Sequence, residues 1–226
     1  MMPPFVTGAE LTTAFVDLLT GIVLLPFAAV LLSMRGEKTR KKLWALFLCL
    51  LSFGNIGGFL IHAPAWDEKT TFIAWFFLYA VMYALLVSFA VLAWYRYYGK
   101  LPGKVPSALL LGSALLCYIV SSVFDVTGKI NGIVVYAVYG LCLGLPSMIA
   151  FILLAVERKE KGPARFIFIL PPLLVGAVFE VIQKGGFTLI VPFDHNGIFH
   201  LFLLFACVFL GLAAIEDVKS SETKGE

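Results

Sequence analysis

LTTAFVDLLTGIVLLPFAAVLLSMRGEKTRKKLWALFLCLLSFGNIGGFLIH, residues 11–62, reads as two apolar runs on either side of a cationic loop. The runs, 11–33 and 43–62, each approach the roughly 20 residues that a helix needs to cross a hydrocarbon core. Arg35, Lys38, Arg40, Lys41 and Lys42 stand between them. Two membrane-spanning helices joined by a solvated loop are the expected structure.

The same pattern continues outward through 71–94, 107–124, 132–156, 164–182 and 198–215, making seven candidate spans. With 61% hydrophobic residues, 14% charged residues and a mean hydropathy of +0.96, the chain carries too much apolar surface for a water-soluble domain of 226 residues. The connecting loops are short, with no low-complexity linker or fixed-period repeat. The expected fold is therefore all-α: one polytopic seven-transmembrane-helix bundle over residues 1–226.

The cations set an orientation. Fourteen of the 17 Lys and Arg fall in the first, third and fifth loops and the C-terminal tail, leaving Lys69, Lys129 and Lys184 opposite. Excess Lys and Arg stay cytoplasmic, which predicts an N-terminus outside and a C-terminus inside. The net charge of +3 is then a topology signal, and no nucleic-acid partner is read from it. MMPPFVTGAELTT has no basic region before the apolar run, so the first span is expected to remain in the mature protein. Cys49, Cys117, Cys142 and Cys207 all lie within spans, where small apolar thiols are expected.

Within the spans, ionisable residues are costly and point to function. Asp17 lies in the outer part of span one, Asn55 and His62 in the outer half of span two, and Glu180 near the outer end of span six. Asp125 ends span four on that side, while Asp194, His195, Asn196 and His200 open span seven. The inner half offers no comparable cluster to a sequence reading. Gly54, Gly57 and Gly58 allow span two a close approach to another backbone, and Pro146 and Pro171-Pro172 are expected to kink spans five and six. Each polar residue also has a local explanation: Glu180 with Lys184 at i, i+4, Asp17 with Thr13 or Thr20, and Asp125 at the interface. Trp66, Tyr79 and Tyr83 read as packing or interface residues.

All three histidines fall in this one layer. On a regular helix, positions 195 and 200 are about 140° apart and face different ways. Asn196 is a candidate N-cap, however, which makes His195 and His200 the two positions that meet in a staple at a helix start. With His62 they form a three-histidine set, the ligand pattern of a catalytic zinc that keeps one open position. Such zinc activates water, and Asp17, Asp67 and Glu180 are the candidate general bases, with Asn55 and Asn196 supporting the ligands. Hydrolysis of a membrane-lipid amide or ester is the chemistry this location suits.

Seven spans, a histidine late in span two and a histidine pair opening span seven resemble the CREST superfamily of membrane hydrolases, which includes alkaline ceramidases and the progestin and adipoQ receptors. The resemblance implies zinc on His62, His195 and His200, with Asp67 nearest to the family's aspartate. The chain departs from the family pattern in spacing its pair as HNGIFH rather than HxxxH, and in placing Gly58 where a serine is common. A retinal protein is excluded, because the last span has no lysine for a Schiff base. A haem protein, a structural membrane protein, and a receptor or transporter using the same polar cluster for ligand or proton binding are the remaining readings.

Overall fold

The computed structural model describes residues 8–127, 132–185 and 195–222, with the backbone alone for Ala9, Gln183, Lys184, His195, Asn196 and Glu222. Among these residues the chain is all-helical: α1 (Ala9–Ser33), α2 (Lys38–His62), α3 (Glu68–Tyr98), α4 (Lys104–Thr127), α5 (Gly132–Val156), α6 (Lys161–Phe166), α7 (Leu170–Lys184) and α8 (His195–Glu222). A 3₁₀ turn at Ile167–Ile169 joins α6 to α7, and the two together form the sixth of seven stretches long and apolar enough to cross a membrane. Each expected span falls within one of these seven.

Local chemistry sets the element ends. Asp67 caps α3 by accepting from the Thr70 backbone N–H at 3.0 Å, a bond that satisfies one orphan donor of the first turn. At the other end, Gly99 takes a left-handed φ of 71° and returns its N–H to the Tyr95 carbonyl at 2.8 Å. The sixth span breaks just before Pro171-Pro172, residues that have no N–H to continue the hydrogen-bond ladder. Pro26 and Pro146, by contrast, sit inside unbroken helices.

Helix α1 packs on α2 and α8; α3 on α2, α4 and α5; α6 on α5 and α8; and α7 on α8. Outward faces are apolar, with Leu109 68% and Val181 71% exposed, as suits lipid contact. Where lipid surrounds helices of this kind it removes most of the hydrophobic drive between them, and close packing then holds a bundle together. Phe151, fully buried, packs in a triangle with Phe89 and Phe166, its ring centroid 5.9 Å from the first and 4.5 Å from the second, which are 5.9 Å from each other. Nearby, Ser52 donates to the Gly21 carbonyl at 2.7 Å, at a contact where a side chain on Gly21 would collide with Ile56.

Two expectations need correction. The end of the bundle bearing the first, third and fifth loops does hold a polar cluster: Asp217, fully buried, accepts from Trp44 Nε1 (2.8 Å), Arg96 Nε (2.8 Å) and Arg96 Nη2 (2.7 Å). Arg96 also pairs with Glu160, and Arg40 Nη1 donates to the Asp217 carbonyl at 3.1 Å. Arg96 lies beyond the third expected span and Asp217 beyond the seventh, where charges ordinarily face water, whereas packing of α2, α3 and α8 buries them against one another. The second correction concerns Asn196, which lies within α8 rather than capping it. A cap requires non-helical backbone, and starting the helix earlier lets the His195 carbonyl enter the ladder. With His195 itself helical, positions 195 and 200 stand about 140° apart and the staple that would bring them together is lost.

Candidate functional site

At the opposite end of the bundle α1 starts, α2 finishes and α8 starts. Asp17 of α1 is 2% exposed and its Oδ1 meets Nδ1 of His200 on α8. Gly58 of α2 makes room for this pair, since a Cβ there would stand 2.8 Å from Asp17 Oδ2. One turn further along α2, on the same face, His62 directs Nδ1 to Oε1 of Glu10 at 3.7 Å, and its ring meets Trp75 of α3 edge-on at 5.8 Å. Glu10 precedes Asp17 by seven residues, two turns along one face of α1. A polar seam therefore runs between α1, α2 and α8, with a carboxylate from α1 against each described imidazole.

Sequence reasoning found Asp17, His62 and His200 but missed Glu10, Gly58's partner and Trp75. The seven-residue spacing of Glu10 and Asp17 was the available signal for the first. Asn55 is buried but spends its amide donor on the Leu51 carbonyl of its own helix at 2.8 Å. Thr20 likewise bonds Val16 rather than Asp17. Asp67 is committed to capping, its Oδ2 also accepting from the Thr70 hydroxyl at 2.7 Å. These bonds, the hydroxyl's first, hold its carboxyl below the usual carboxylate range. Asp125 accepts from the Gly132 N–H at 2.5 Å and ties α4 to α5. Glu180 stands one turn beyond Gly176, whose missing Cβ accommodates Phe202 of α8, so the antiparallel register brings Glu180 level with the first turn of α8. The Lys184, His195 and Asn196 side chains and all of Asp194 lie outside the described residues.

The donor set can be tested against a zinc ion. Metal-bound histidines characteristically donate one ring nitrogen to a carboxylate and ligate through the other. His200 and His62 both turn Nδ1 to a carboxylate, leaving Nε2 for a ligand. Their partners on α1 are offset by about 10 Å of helix rise, but side chains lean toward a helix N-terminus, so the imidazoles of antiparallel α2 and α8 lean toward each other. Among the described residues no three His, Cys, Asp or Glu side chains converge as a metal-holding group. The described residues thus supply two imidazoles with Nε2 turned from a carboxylate but no complete metal-holding set, and the His195 side chain lies outside them.

Beside the seam, Trp75 also lines an open pocket of about 620 Å³ with Glu68, Lys69, Phe72 and Asp125. The bundle is thus an all-α protein with seven helices of membrane-spanning length and a carboxylate–imidazole seam at one end. Its sequence matches the model of a family of unknown function, DUF6962, over residues 12–219, and the chain belongs to that family. No curated protein and no solved structure matches it.

Proposed function

We propose that this chain is a multi-pass membrane protein, N-terminus outside, that hydrolyses a lipid amide or ester with the help of zinc held in the outer leaflet by His62, His195 and His200. One observation carries the reading: His200 meets Asp17 through Nδ1, which leaves Nε2 as a ligand, and His62 faces Glu10 through the same nitrogen at the longer distance of 3.7 Å. Zinc would supply an activated water at neutral pH. In this scheme Asp17 and Glu10 orient the imidazoles, which moves Asp17 from candidate base to positioning residue. Glu180, level with the start of α8 and not engaged as a cap, becomes the candidate base, while Asp67 keeps its capping task. The pocket beside Trp75, with carboxylates and an ammonium at its rim, admits a polar head group next to His62.

Amide and ester hydrolysis assays on the purified protein test the roles separately. Glu180→Gln lowers turnover by roughly 10²–10⁴-fold with metal retained, and Asp17→Asn weakens metal binding by roughly 10–100-fold. Full activity in both variants removes the hydrolytic assignment. The direct, nearly enclosed Asp17 to His200 contact also favours a second reading, a receptor or transporter that binds a proton or ligand there. Protein that folds without metal and titrates His200 with Asp17 identifies that case.

A further inference from the structure

A second candidate binding site lies in the cation-rich half of the bundle, independent of the histidine seam. A groove of about 780 Å³ runs between α3, α4 and α5, within the roughly 300–1,000 Å³ typical of ligand pockets. Ala90, Trp94, Tyr97 and Tyr98 of α3 form one wall, facing Leu110 of α4 and Leu153 of α5. The lining is mainly apolar, with Ser113 and Ser147 among it, and holds one unmet demand. Trp94 Nε1 is covered by neighbouring side chains and has no acceptor among the described residues. The Tyr98 ring that packs on it at 4.6 Å is 56% exposed, so its displacement would open the donor to the groove, and a buried donor left unpaired costs free energy until an acceptor reaches it.

The mouth of the groove adds charge. Arg158 sits with its guanidinium carbon 4.9 Å from the centre of the Tyr97 ring and is itself exposed. Lys100 and Lys104 flank the α3–α4 connection, just before Pro106 of the groove wall. Glu160 is turned away to Arg96, leaving Glu157 as the acid beside Arg158 in sequence. Cations therefore exceed acids at this end of an apolar slot whose wall holds an unpaired N–H donor.

We infer that this groove binds one molecule of an anionic phospholipid. An acyl chain fills the slot, an ester carbonyl accepts from Trp94 Nε1, and the phosphate lies against Arg158. In the orientation proposed above, the lipid comes from the cytoplasmic leaflet. The apolar walls select a chain, the indole selects a carbonyl-bearing linkage, and the arginine selects negative charge.

Native mass spectrometry of the full-length protein in neutral detergent tests this, with phosphatidylglycerol and phosphatidylcholine of identical chains as probes and glycerol phosphate as a tail-less competitor. Wild type is expected to bind one phosphatidylglycerol saturably and at least about 5-fold more tightly than phosphatidylcholine. Trp94→Phe, which keeps a ring but loses the donor, weakens both lipids by roughly 5–10-fold. Arg158→Gln, at an exposed position, removes the preference for phosphatidylglycerol without abolishing phosphatidylcholine binding. Glycerol phosphate does not compete. Graded, non-saturable uptake of both lipids, unchanged binding in both variants, or displacement by glycerol phosphate each overturns the proposal.

Discussion

Replacing Arg96 with leucine probes the cluster that sequence reasoning missed, and its cost can be worked from the contacts. Asp217 is fully buried and accepts three side-chain hydrogen bonds, two from Arg96 and one from Trp44. Arg96→Leu removes two of the three and strands the carboxylate; losing one partner of a buried pair costs about 3–5 kcal/mol. Trp44→Phe removes a single bond to a charged acceptor, worth about 1.5–3 kcal/mol. For a chain of this size each kcal/mol shifts Tm by roughly 2–4 °C. The expected losses are then about 6–20 °C for Arg96→Leu and about 3–12 °C for Trp44→Phe. Cys207, 1% exposed, reports the transition when the other three cysteines are replaced and a thiol-reactive dye is followed on heating in mild detergent. The double variant Arg96→Leu/Asp217→Leu should lose less than the two single variants combined, because it leaves no unpaired buried charge. A shift under about 3 °C for Arg96→Leu, or strict additivity in the double variant, would refute the account of this cluster.

Three further outcomes follow from the geometry. Gly58→Val places bulk where Asp17 Oδ2 stands 2.8 Å from the built Cβ, so it should break the Asp17 to His200 pair, seen as a change in the His200 imidazole signals by NMR, while Gly54→Ala, in open space, leaves them as in wild type. The depressed pKa of Asp67 means its cap contributes fully above the ordinary carboxylate pKa and is lost as pH falls through the lower folded value; hydrogen exchange at Thr70 should accelerate across that acidic window in wild type, and at all pH in Asp67→Ala. Cysteines introduced at Glu68 and Lys38 should label from outside and inside respectively in intact cells or spheroplasts, and the reverse pattern contradicts the orientation.

The seven long helices were legible because each apolar run approaches a bilayer's thickness and cations punctuate the runs. Composition needs no tertiary knowledge to give that result. Asp17, His62 and His200 were also legible, since a polar side chain within an apolar run is conspicuous. Their pairing was not: that Asp17 meets His200 depends on α1 lying against α8 and on the missing Cβ of Gly58, contacts between positions far apart in sequence. Arg96 and Asp217 escaped notice for the opposite reason. Charges near helix ends normally face water, and only the packing of α2, α3 and α8 makes this pair internal. Asn196 had the side chain of a cap, but helix ends shift by a residue or two with little cost.

The zinc content of the protein bears most directly on the central claim. Full-length protein purified without chelator, supplied with zinc and freed of excess should carry one zinc per chain by inductively coupled plasma mass spectrometry. His200→Ala should carry none while remaining folded, because two remaining ligands hold the ion weakly. Folded wild-type protein that retains no metal after zinc is supplied would contradict the hydrolase assignment.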